Sequence, residues 1–140
     1  MAFETNVIGN GAVTDNFIPL LRQSTSGKII FLTSGLGSFT QATDPSNGFY
    51  NLDAFSYRAS KAALNMLMVE WARVLGKDGI KVWGVCPGFC ATNLSGDAEA
   101  AKEMGGKDPS LGALVVLDVV EGRRERDVGR VVFDTGVRPW

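Results

Sequence analysis

Apolar and polar positions change period several times along this chain, and each change predicts an element. Phe3, Val7, Ile8, Ala12, Val13, Phe17, Leu20 and Leu21 recur at helical spacing, which predicts a helix from about Phe3 to Leu21 despite Gly9 and Gly11. After the polar turn Arg22 to Gly27, Lys28-Ile29-Ile30-Phe31-Leu32-Thr33 is a short continuous apolar run rich in β formers. It reads as a strand buried on both faces, as in a parallel sheet. Ser34 to Ser38 is a flexible loop, followed by a long polar-aromatic connection, Phe39 to Phe55, with its turn centre at Asp44 to Gly48. A helix then opens at Phe55, stays apolar nearly all round from Ala62 to Trp71, and ends near Gly76. Ile80 to Cys86 is a second strand, stopped by Pro87-Gly88. Asn93 to Ser110, rich in Gly, Ala and charge, is expected to be mobile, with a short helix around Ala98 to Met104. Leu111 to Val120 is a compact apolar helix, Glu121 to Arg130 a solvated charged loop, and Val131-Val132-Phe133 a third strand before the ending Gly136 to Trp140.

The order helix, strand, helix, strand, helix, strand predicts an α/β fold, a parallel sheet with helices packed on its faces. In open sheets of this kind chemistry collects at the carboxyl ends of the strands. Ser34 and the Pro87 to Thr92 turn lie at two such ends, and the helix opening at Phe55 spans the crossover between them.

Composition narrows the function. At 140 residues and 45% apolar, the chain fits one ordinary domain. No apolar run approaches the roughly 20 residues that span a bilayer. A net charge of −1 without blocks of like charge leaves no electrostatic footprint for nucleic acid or an anionic membrane surface. The absence of histidine excludes Ser-His-Asp and Cys-His systems and every His-containing zinc site within the chain. Cys86 and Cys90 have no second pair with which to hold zinc, and Cys86, following an apolar run, reads as a small buried hydrophobe. Asn93-Leu94-Ser95 matches a glycosylation sequon, but Met1-Ala2-Phe3-Glu4 does not open a signal peptide, so a cytoplasmic location is expected.

The residues that bear chemistry are Tyr57 and Lys61, four apart and therefore neighbours on one helix face. A free phenol has a pKa of about 10 and does little proton transfer at neutral pH. An ammonium beside it favours the phenolate, and bringing the pKa to about 7 takes about 4 kcal/mol of differential stabilisation.

Taken in order, four motifs resemble the second half of a short-chain dehydrogenase/reductase: Asn6 in Thr5-Asn6-Val7-Ile8-Gly9, Ser34 closing Ile30 to Ser34, Tyr57-x-x-x-Lys61, and Pro87-Gly88-Phe89-Cys90-Ala91-Thr92. The wording Tyr57 to Asn65, Ser34-Gly35-Leu36-Gly37-Ser38 and the Pro139-Trp140 ending are most similar to carbonyl-reductase-like members. The resemblance implies a partial Rossmann-type doubly wound sheet, made of the last three strands and their helices, as a single partial domain over residues 1–140. It implies a carbonyl or alcohol substrate and NADP or NAD as cofactor, with NADP favoured. Tyr57 would move the proton, Ser34 would grip the same oxygen, Lys61 would lower the Tyr57 pKa and hold the cofactor ribose, and Asn6 would anchor proton resupply through Lys61. Pro87, Gly88, Cys90 and Thr92 would meet the nicotinamide. In many relatives the tyrosine helix forms a dimer seam, which implies either a homo- or hetero-dimer through that helix or, where the long Phe39 to Phe55 connection obstructs the seam, none.

The family's Gly-rich phosphate turn is not matched. Gly35-x-Gly37 follows a strand, but Thr40 stands at the third glycine position. Compared with the family, the sequence starts inside the helix after the fourth strand, and the expectation is a truncated product or an incomplete gene model. It follows that the Ile29 to Leu32 strand should present an open, apolar, association-prone edge. The alternative to an enzyme is a non-catalytic fragment that pairs with a full-length relative.

Overall fold

The computed structural model describes residues 1–140, the side chain of Ser95 excepted. Strands β1 (Lys28–Leu32), β2 (Lys81–Val85), β3 (Val131–Phe133) and β4 (Gly136–Val137) form one sheet in the order β1-β2-β3-β4. β1, β2 and β3 run parallel, and β4 folds back antiparallel on β3 with Val132 opposite Val137. The helices are α1 (Asn10–Leu21), α2 (Phe39–Ala42), α3 (Phe55–Leu75), α4 (Ala98–Glu103) and α5 (Pro109–Val120). A π-helical stretch, Glu4–Gly9, leads directly into α1.

Alternation along β2 sorts the core into two layers, because successive side chains of a strand point to opposite faces. Val82 and, just past the strand end, Cys86 join Phe31, Val131 and the α3 residues Leu64 and Met68 on one face. Trp83 and Val85 join Val132 and the α5 residues Val115 and Val119 on the other. The sheet is thus wound on both sides, which is the fold the alternating elements predict.

Three sequence expectations need correction. The antiparallel β4 was not expected, since two residues carry too little pattern to announce a strand. The Glu121 to Arg130 connector is not a solvated loop throughout. Arg124 and Asp127 pair at 2.8 Å with side chains only 12% and 10% exposed. The Arg124 guanidinium also donates to the Gly136 carbonyl, and its own carbonyl accepts Trp83 Nε1–H at 3.0 Å. A run of charges reads as solvated only until two of them neutralise each other inside. Likewise the Asn93 to Ser110 segment is tied down rather than loose. The Ala91 amide donates to the Lys107 carbonyl at 2.9 Å, the Lys107 amide to the Phe89 carbonyl at 3.0 Å, and Asp97 caps α4.

The open edge is as expected. β1 lies at the margin of the sheet, Leu32 is 55% exposed, and Ile8, Val13, Phe17 and Leu20 are exposed along the neighbouring helical segment. At the carboxyl end of β1, Gly37 brings the loop that follows onto α3. A Cβ there would lie 2.7 Å from the Lys61 carbonyl carbon and 2.8 Å from the Ala62 nitrogen, so only glycine fits without displacing helix backbone.

Candidate active site

The loop after β1 begins with Ser34, whose hydroxyl accepts the Leu36 amide at 3.2 Å and so caps the turn Gly35–Gly37. A hydroxyl that accepts in this way keeps its own proton free to donate. The turn after β2 begins with Pro87, and α3 crosses between the two strand ends, which are paired in register from Lys28–Lys81 to Leu32–Val85. These pieces enclose a cleft of about 840 Å³. Ser34, Tyr57, Pro87, Gly88, Cys90 and Thr92, from three separate stretches of sequence, all line it.

The other two predicted residues stand behind this wall. Lys61 is 8% exposed, donates to the Leu32 carbonyl at 2.8 Å, and sits 5.6 Å from the centroid of the Tyr57 ring. Asn6, in the π-helical stretch, donates to Ser60 Oγ at 3.0 Å, and that hydroxyl donates to the Tyr57 carbonyl at 2.8 Å. Asn6 thus reaches the Tyr57 backbone through Ser60, and its side chain makes no direct bond to Lys61.

The electrostatics of the pair differ from the sequence expectation. Burial pushes the Tyr57 phenol above its ordinary value, the nearby Ser34 side chain works against that, and Cys86 adds to it. Burial also pulls Lys61 down, with Cys86 opposing. The reason is geometric: the ammonium lies over the ring face and spends a hydrogen bond on a carbonyl, while both groups lose water. In the bare protein, therefore, desolvation outweighs the cation that the spacing brings close.

Thr92 accepts the Leu94 amide at 3.4 Å, so it caps the turn Asn93–Ser95 as well as facing the cleft. Cys90 Sγ lies 3.6 Å from the Pro87 carbonyl. Phe49 lines the cleft and meets Phe89 edge to face at 5.7 Å, whereas Phe55 is 83% exposed. Cys86, Arg58 and Arg138 are among the lining residues not anticipated from sequence. Cys86, read as a plain hydrophobe, turns its sulfur to the Gly35 amide at 3.1 Å and faces the cleft. Its place at a strand's carboxyl end was the available signal. Arg58, one residue past Tyr57, donates to the Phe49 carbonyl. Arg138 arrives from the β4 end, and nothing in its local sequence points to the cleft.

A sheet wound on both faces, with a hydroxyl at one strand end and a tyrosine–lysine helix crossing to the next, defines a partial Rossmann-like α/β protein. Residues 1–103 match the family model described as short chain dehydrogenase, and the chain belongs to that family of oxidoreductases. It is 39% identical over 158 residues to the short-chain dehydrogenase/reductase tropE of Talaromyces stipitatus, covering 99% of this chain and 57% of that protein. It is 35% identical over 157 residues to the short-chain dehydrogenase/reductase eupG of a Phoma species, covering 99% of this chain and 56% of that protein. Among solved structures, NADPH-bound carbonyl reductase from chicken fatty liver superposes with a TM-score of 0.82 at 26% identity, over 99% of this chain and 55% of that one. The chain is a carbonyl-reductase-like member, and it spans a little over half the length of these relatives.

The residues present fit part of a dinucleotide. The Pro87 to Thr92 turn and Tyr57 converge on the cleft, with Lys61 behind the Tyr57 ring. Gly35–Gly37, in contrast, is a short turn packed against α3 and opens no phosphate-binding helix. Among the described residues no cluster of potential metal ligands occurs, and no helix is long and apolar enough to cross a membrane.

Proposed function

We propose that this chain carries the proton-transfer and substrate half of an NAD(P)(H)-dependent oxidoreductase that interconverts a carbonyl and an alcohol. The observation that carries the reading is the convergence of Ser34, Tyr57 and the Pro87 to Thr92 turn on one cleft. Bound nicotinamide cofactor would supply or accept the hydride. Tyr57 gives its phenol proton to the carbonyl oxygen in reduction, or takes the alcohol proton in oxidation. Ser34 donates to the same oxygen and holds it beside the phenol. Lys61 would stabilise the tyrosinate that results and would hold the cofactor ribose, while Pro87, Gly88, Cys90 and Thr92 would seat the carboxamide. Asn6 is a positioning residue: it fixes the Tyr57 backbone through Ser60 and stands where proton resupply toward Lys61 would begin. The NADPH-bound neighbour favours NADP over NAD.

The test joins binding to turnover. NADPH should quench the tryptophan fluorescence saturably, and carbonyl-dependent loss of NADPH should fall by about 10²-fold or more in Tyr57→Phe, the scale of a general acid's contribution. Saturable binding with equal rates in Tyr57→Phe would overturn the assignment. Absence of binding, with capture of a full-length relative on co-expression, would instead support a non-catalytic interaction fragment.

The α3 surface around Met66, 62% exposed, is the proposed pairing face for a homo- or hetero-dimer. We place the protein in the cytoplasm, a reading supported by two free thiols and no disulfide.

A further inference from the structure

We propose that Arg138 receives an anionic group of the substrate, so that the carbonyl compound taken by the cleft bears a carboxylate. This rests on the reading of the cleft as a carbonyl site. The guanidinium lies over the Phe133 ring, with its central carbon 3.9 Å from the ring centroid. Nε is buried and has no hydrogen-bond partner. With its amide turned so that both ends are satisfied, Gln41 accepts from Nη1 at 2.9 Å and donates to the Gly35 carbonyl at 3.0 Å. Among the described residues Arg138 forms no ion pair. Asp134 feels its charge but is half exposed and held by Lys107 at 3.1 Å.

One neutral amide is a poor answer to a partly buried guanidinium whose Nε is unpaired, a group that carboxylates and phosphates ordinarily partner. The guanidinium fork is shaped to take such a group two bonds at a time. Its position says which group. Arg138 lines the cleft, and a Cβ on Gly35 would stand 3.6 Å from Nε and 3.7 Å from the central carbon. The charge therefore sits one residue from Ser34, the hydroxyl proposed to hold the carbonyl oxygen. The same Cβ would come within 2.6 Å of the Gln41 amide group, so glycine at position 35 lets that amide keep its place between the Gly35 carbonyl and Arg138. The turn proposed to seat the cofactor is Pro87 to Thr92, at the end of the other strand. That placement favours a substrate carboxylate over a cofactor phosphate. The second cleft arginine, Arg58, already donates to the Phe49 carbonyl.

Calorimetric titration of the 140-residue chain with 3- and 4-formylbenzoate, against their methyl esters, tests the proposal without turnover. The acids should bind about tenfold or more tightly than the esters, the worth of one charge-assisted contact. Arg138→Gln should bring acid and ester to parity, Arg138→Lys should keep part of the preference, and Arg58→Gln should keep all of it. NADPH binding should be unchanged in Arg138→Gln. Equal binding of acid and ester, no binding of the acids, survival of the preference in Arg138→Gln, or its loss in Arg58→Gln alone would each overturn the proposal. So would weakened NADPH binding in Arg138→Gln with benzoate binding unaltered, which assigns the arginine to a cofactor phosphate. Should Arg138→Gln lose its circular dichroism signal, the wild-type acid–ester comparison and Arg138→Lys decide. Tyr57→Phe separates the two readings: it should lose turnover yet keep the preference for acids, whereas an intact rate in that variant sinks the enzyme assignment and leaves the acid preference to stand or fall by itself.

Discussion

Tyr57 and Lys61 meet because helical residues four apart share a face, but their ionisation is decided by what surrounds them. Both lose water, so the phenol rises and the ammonium falls from their ordinary values of 10.0 and 10.5. The consequence for stability has a definite sign. Below its ordinary pKa, Tyr57 is protonated in both the folded and the unfolded chain. As pH rises through 10.0 the unfolded chain releases the proton first, so it binds fewer protons and stability falls until the folded phenol also ionises. Chemical denaturation across this range should show a steeper alkaline decline in wild type than in Tyr57→Phe. Lys61 acts the other way: its folded pKa lies below 10.5, so its burial cost is relieved as pH climbs toward that value, and Lys61→Met should lack that gain. The spacing of the pair was legible in sequence. The direction of the phenol's shift was not, because solvent exclusion is a property of the packed cleft.

At the scale of elements, the two loops that frame the cleft are held by close contacts a hydropathy pattern does not record. Gly37 lets the Ser34 turn rest directly on the α3 backbone. Gly37→Ala should destabilise the fold by about 1–3 kcal/mol, the usual scale of overpacking, and blunt cofactor or substrate binding, measurable as a lower melting temperature and weaker titration. The β3–β4 hairpin depends on Arg124, which joins Asp127, the Gly136 carbonyl and, through its own backbone, Trp83. Arg124→Met leaves the nearly buried Asp127 carboxylate with only the exposed Arg126, 4.0 Å away, and should cost about 3 kcal/mol in urea unfolding. β1, β2, β3, α3 and α5 were readable because each repeats its period long enough to be recognised. β4 and the Arg124–Asp127 clamp were not, since a two-residue strand and a run of mixed charge carry the same local signal as surface loop.

For the molecule as a whole, the sheet is covered on both faces but open along β1. Leu32 stands 55% exposed at the carboxyl end of that edge strand, where it also lines the cleft, and Val13, Phe17 and Leu20 are exposed on α1. Edge strands with unpaired amides and apolar side chains invite another strand. Leu32→Lys alters only a side chain, since the bond to Lys61 uses the Leu32 carbonyl. The substitution should reduce concentration-dependent association in sedimentation velocity while leaving thermal stability within about 0.5 kcal/mol of wild type. An unchanged association state would place any self-contact elsewhere, with the α3 face the next surface to test.

The sequence by itself determined the order of elements, the two-sided core, and the residue types brought to the ends of β1 and β2. Those follow from local periodicity and from the rule that parallel strands deliver their carboxyl ends to one side of the sheet. Only the tertiary structure decided that Lys61 and Asn6 stand behind the cleft wall while Cys86 and Arg138 join it, and that burial rather than the neighbouring cation governs the phenol. Each of those depends on which groups lose water together, and residues 34, 86 and 138 are neighbours only after the chain has folded.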